Sequence, residues 1–170
     1  MAEGNDILFR VEEAFAAYLV AQSLTGDVAG TTVNLDAERI IAGYSTGPTS
    51  NDYPSDDIEQ TTVAIPRVAI LAQQATPTDN QLSEQGIWEI TVSVTFISSS
   101  AKGSNLEHRT GFAALVDKVL ALDLATQLTA SLSDFTCGTW RAGAQTQERD
   151  DNGNYMTNQD VILYQVRGSD

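Results

Sequence analysis

Hydrophobic and polar positions change period several times along this chain. Ile7, Leu8, Val11, Phe15, Tyr18 and Leu19 recur at steps of three and four, which predicts an amphipathic helix from Ile7 to Leu24. Asn5 stands where a helix cap is needed, Asp6 suits the first-turn dipole, and Gly26 is placed to stop the helix. Glu12 and Glu13 fall off the apolar stripe.

The next segments read as short strands. Thr31 to Leu35 alternates weakly, and Ile40-Ile41-Ala42-Gly43-Tyr44 reads as a short buried strand closed by Gly and Ser. The segment 45–60, with Gly47-Pro48, Pro54 and four acids, is a loop insertion. Val63 to Gln73 reads as a strand, best over Val68 to Leu71, with Pro66 pushing its first half toward a sheet edge. Ala75 to Gln85 is a polar connection. The cleanest alternation follows: Trp88, Ile90, Val92, Val94 and Phe96 on one face, Glu89, Thr91, Ser93 and Thr95 on the other. Such a period of two predicts a sheet with one face on a core and the other wet or against a partner.

Ser98 to Gly103 is a flexible turn, and Ser104-Asn105-Leu106-Glu107 fits a capping box. Phe112, Leu115, Val116 and Val119 form a helical stripe. Either a second short helix capped by Asp123 and carrying Leu124, Leu128 and Leu132 follows, or one helix bends near Leu122. Phe135 to Gln147 and Asn158 to Arg167 pair as a long hairpin, with an acidic tip at 148–157 and a tight-turn signal at Asn152-Gly153. The elements define an α+β domain spanning 1–170. A single mixed or antiparallel sheet packs against an N-terminal helix and a central helical region, and a long C-terminal β-hairpin closes it.

Composition changes this picture mainly through charge. The formal net charge is −14, from 23 acids against 9 bases, and the bases are scattered rather than clustered. That argues against a classical DNA- or RNA-binding surface, which needs clustered Lys and Arg. The acidity suits solubility, or a wall along which a polyanion slides without sticking. No apolar run is long enough to cross a bilayer, and the acidic, polar start Met1 to Asp6 reads as a cytosolic product.

Catalytic chemistry is poorly represented. Cys137 is the sole cysteine and reads as a small, partly buried hydrophobe at the start of a strand. His108, the sole histidine, has Phe112 and Leu115 at helical spacing, which are not ligands; it reads as a satisfied or interfacial side chain. Asp56 and Asp57 sit in a Pro/Gly-rich loop without apolar surroundings to shift a pKa. Asp150, Asn152 and Asn154 imitate the start of a calcium loop, but Tyr155 stands where Gly is needed and Val161 where Glu is needed. Phosphate-cradling glycine loops, serine elbows and His-Glu metalloprotease motifs are missing from the sequence. No enzyme activity, cofactor or metal is expected.

The order of elements resembles the tail terminator, or tail completion, proteins of long-tailed bacteriophages, and more broadly their head–tail joining proteins. The likeness rests on the helix Ile7 to Leu24, on Ile40-Ile41-Ala42-Gly43-Tyr44, and on Ile65-Pro66-Arg67-Val68-Ala69-Ile70. It continues through Trp88-Glu89-Ile90-Thr91-Val92-Ser93-Val94, Leu106-Glu107-His108, Leu115 to Leu120 and the closing Val161 to Val166. It is a pattern over most of the chain. The long 45–60 loop and the acidic hairpin tip depart from it.

The resemblance implies a structural virion protein, made in the host bacterial cytoplasm. Copies would close head-to-tail into a six-fold ring that caps the tail tube, ends its polymerisation and meets the neck or head-completion protein. DNA would pass through the lumen without specific binding, and no membrane would be involved. The expected subunit and tail contacts are in three irregular segments: Asp52, Asp56 and Asp57; Ser99 and Lys102; and Asp150, Asp151, Asn152 and Tyr155. A head-completion or stopper protein is the alternative within the virion. A cytosolic binding module or adaptor is the alternative outside it, and an enzyme ranks last.

Overall fold

The computed structural model describes residues 4–28, 31–43, 66–77, 87–98, 104–120, 126, 128–129, 135–149 and 153–168. Helix α1 (Gly4–Ala21) is followed by β1 (Leu24–Val28), β2 (Thr31–Leu35), β3 (Ile40–Ala42), β4 (Arg67–Pro77) and β5 (Ile87–Ser98). Then come α2 (Asn105–Leu120), β6 (Phe135–Thr136), β7 (Thr139–Arg149) and β8 (Tyr155–Gly168).

The chain is α+β, as its patterning predicts. The main sheet runs β3-β4-β5-β8, with β6 and β7 both pairing β8. It is mixed because β3 lies parallel to β4 while the other pairs are antiparallel. A separate two-stranded sheet, β1-β2, is an addition to the single sheet expected.

One face of the main sheet carries the helices. Val11, Phe15 and Leu19 of α1, Leu115 and Val119 of α2, and Val68, Ile70, Ile90, Val92, Val94, Val161 and Leu163 of the sheet form one buried cluster. The stripe read from the sequence is the face that α1 buries, and burial of several large side chains is worth far more than helix propensity.

Several boundaries differ from the sequence reading, each for a physical reason. Helix α1 begins at Gly4, so Asn5 lies within the first turn rather than at its cap. Gly26 does not stop the helix: α1 ends at Ala21, Ser23 adopts φ 52°, and Gly26 lies inside β1. A Cβ there would stand 3.1 Å from the Phe96 ring, so close packing is what this glycine permits. Strand β4 starts directly after Pro66 and continues through Pro77, into the segment expected to be a polar connection. It does so because β5 supplies a partner as far as Trp88.

The hairpin also differs in detail. Its first strand is interrupted at Cys137 and Gly138, where Gly138 faces Gln165, a residue at φ 54°. Cys137 is buried in that break, and its backbone N–H donates to the Thr129 hydroxyl at 2.9 Å. At the far end the strands persist to Arg149 and from Tyr155, so both flanks of the expected 148–157 tip are sheet, while 150–152 lie outside the described residues. Gly153 has φ 78°, in line with the turn signal. The capping box is present: Ser104 N–H donates to Glu107 Oε2 at 2.7 Å, and Glu107 N–H donates to Ser104 Oγ at 3.2 Å. Helix α2 is described as far as Leu120, and Leu128, also helical, is buried; the choice between a bend and a second cap lies outside the described residues.

Candidate functional site

The described chemistry gathers around the turn end of the β7-β8 hairpin, on both faces of the sheet. On the helix face, His108 in the first turns of α2 is buried between the rings of Phe96 and Tyr155, each 5.4 Å away centroid to centroid. Its Nδ1 is hydrogen-bonded to the Ser98 hydroxyl and its Nε2 to the Thr157 hydroxyl. A neutral imidazole offers one donor and one acceptor, and each hydroxyl can rotate to serve either. Burial, reinforced by the nearby Arg109 charge, lowers the His108 pKa from 6.5 to about 4. The side chain is therefore neutral at physiological pH and joins the ends of β5, α2 and β8.

The arrangement lacks what a nucleophilic triad needs. Neither nitrogen of His108 meets a carboxylate, and Ser98 is itself buried. The satisfied histidine read from the sequence is what its partners describe. A depression of about 370 Å³ opens beside it, lined by Asn105, Gln147, Glu148, Arg149 and Tyr155 among others. Arg149 lies over the Tyr155 ring at 5.0 Å.

The opposite, helix-free face holds a trough of about 300 Å³. Ser93 and Thr95 of β5, Asn158 and Asp160 of β8, and Thr146 and Glu148 of β7 line it, and none of its described lining side chains is Lys or Arg. Ser93 Oγ donates to Asp160 Oδ1 at 2.8 Å, Asn158 Nδ2 donates to the same oxygen at 2.7 Å, and Thr95 Oγ1 donates to Asn158 Oδ1 at 2.9 Å. Ser93 and Thr95 are buried, although alternation placed them on a wet or partner-facing surface. Flanking strands cover them, and the cross-strand bonds satisfy their hydroxyls. This network was not anticipated; the polar half of the β5 alternation was its one trace in the sequence.

Of the contact residues expected from sequence, Tyr155 is described, and it is half-buried against His108 and Arg149 rather than projecting. Asp52, Asp56, Asp57, Ser99, Lys102, Asp150, Asp151 and Asn152 lie outside the described residues. Among the described residues no group of three or more His, Cys, Asp or Glu could hold a metal ion, and no helix is long and apolar enough to cross a membrane. No protein-family model matches the chain, and no curated protein matches it.

Proposed function

We propose that this chain is a structural subunit of a long-tailed phage virion, a tail terminator whose copies close into a six-fold ring over the finished tail tube. The ring ends tube polymerisation and presents a surface to the neck or head-completion protein. DNA passes through its lumen without specific binding, and the subunit acts through surfaces rather than catalysis.

The observation that carries the reading is the helix-free trough. It is polar, contains Glu148 and Asp160, and has no Lys or Arg among its described lining residues. A surface of that kind suits the wall of a wet passage for a polyanion, because fixed cations would hold phosphates in place. The order of helix, short strands, long central strand, capped helix and closing hairpin supports it as well.

The test is tube growth. Purified protein added to polymerising tail tube protein is expected to shorten the tubes and to appear as a ring at one end in negative-stain images. Duplex DNA at physiological salt is expected to show no retardation. Unchanged tube lengths with bare ends, together with capture by emptied heads, would replace this reading with that of a stopper.

A further inference from the structure

The described part of the main sheet ends in a long open border. β7 spans Thr139–Arg149, and β8 is its sole partner among the described residues. Most of its side chains are exposed, including Arg141 and every residue from Ala144 to Arg149. The usual guards of such a border, Pro and Lys, are missing from this strand. An edge of this length without Pro or Lys is a template for a strand whose charges complement its own.

The charges along β7 specify which strand. Residues an odd number of positions apart normally face opposite sides of a sheet. Arg141 and Glu148 are seven apart, yet both stand on the helix-free face, opposite Ile162 and Met156. The irregularity between Ala142 and Gln145 shifts the phase and brings them to one side. Trp140 and Arg149 are likewise brought together on the helix face, opposite Leu163 and Tyr155.

Laid antiparallel against a second copy of itself, β7 has one register in which Arg141 meets the second copy's Glu148. Two-fold symmetry then repeats that pair, and the same register sets Trp140 beside the second copy's Arg149. Directly opposed unlike charges stabilise a strand pair, and an Arg over an indole adds a cation–π contact. Arg141 is pre-aligned, because its Nε donates to the Tyr164 hydroxyl and its guanidinium carbon lies 5.7 Å from that ring centroid.

We propose that β7 is a self-complementary docking edge, through which two copies of this chain pair antiparallel into one continuous sheet with Arg141 of each copy on Glu148 of the other. The proposal rests on β7 alone and stands whether or not the chain caps a tail.

Charge reversal tests it. Wild-type protein is expected to give twice the mass of one chain by native mass spectrometry and light scattering. Arg141→Glu and Glu148→Arg, each alone, replace two attractive pairs by two repulsive ones and are expected to raise the dimer dissociation constant about tenfold or more. The double variant R141E/E148R is expected to restore pairing. An equimolar mixture of the two single variants is expected to form the mixed dimer, since each supplies the charge the other lacks. Circular dichroism and thermal melting of each variant establish that the chain is folded. A monomeric wild type, an oligomer indifferent to single reversal, or folded single variants that fail to recombine would each overturn the proposal.

Discussion

The Glu12 carboxylate of α1 accepts a hydrogen bond from the Ala72 N–H of β4 at 2.9 Å, across 60 residues of sequence. Among the described residues β3 pairs β4 from Ile40 opposite Val68 to Ala42 opposite Ile70, and the Gly43 N–H donates to the Ile70 carbonyl at 2.7 Å. Where that pairing ends, Glu12 takes the place of the missing strand. This explains why a residue off the apolar stripe is 7% exposed.

Glu12→Ala leaves a buried N–H without its acceptor and is expected to cost about 1–3 kcal/mol, measured by urea unfolding. Glu12→Gln keeps a carbonyl oxygen and is expected to cost less. Burial raises the Glu12 pKa, opposed by the Ala72 hydrogen bond. The folded carboxyl therefore holds its proton to higher pH than the unfolded one. Its contribution is full below the ordinary carboxyl range and is lost as pH rises through the folded value.

His108 has the opposite sign. With its folded pKa lowered from 6.5 to about 4, its contribution is fully present above 6.5 and is lost as pH falls through about 4. The shift corresponds to about 3 kcal/mol at most. In the Glu12→Gln background, which removes the opposing carboxyl, the urea midpoint is expected to fall between pH 7 and pH 4. The imidazole resonances are expected to titrate near the lower end of that range. A normal titration near 6.5 would contradict the buried, hydroxyl-paired geometry.

Tyr18 is 4% exposed, and its hydroxyl has no hydrogen-bond partner among the described residues. Burial raises its pKa for the same reason. Removing an unsatisfied buried hydroxyl while keeping the ring is expected to be neutral or stabilising by up to about 1 kcal/mol. Thermal unfolding of Tyr18→Phe measures it, and a loss beyond that size would reveal a partner for the hydroxyl.

Gly26→Ala is expected to destabilise by about 1–3 kcal/mol, because its Cβ would press on Phe96, a ring that His108 packs against on another side. If Gly26 acted as a helix stop instead, the same substitution would leave the Phe96 surroundings unchanged. Aromatic proton shifts of Phe96 separate the two.

Legibility followed the range of the forces. The capping box at Ser104, the α1 stripe and the alternation from Trp88 to Phe96 are local patterns, and each appears where its period or spacing places it. Gly26, Glu12, and Ser93 with Thr95 differ from their sequence pattern, because what decides them comes from elsewhere in the chain: the Phe96 ring, the Ala72 N–H beyond the β3 pairing, and Asp160 with Asn158. Of the candidate site, His108 as a satisfied side chain was visible in the sequence, whereas its hydroxyl partners and the trough were not.

By itself the sequence determined the class of fold, because helix and strand periods are properties of neighbouring residues and of which side of an element is apolar. The tertiary structure alone decided the parallel placement of β3, the place of β7 at the border of the described sheet and the phase shift that sets Arg141 and Glu148 on one face. Those depend on which strands meet and in what register, and register is fixed by pairing between distant segments rather than by any short stretch of chain.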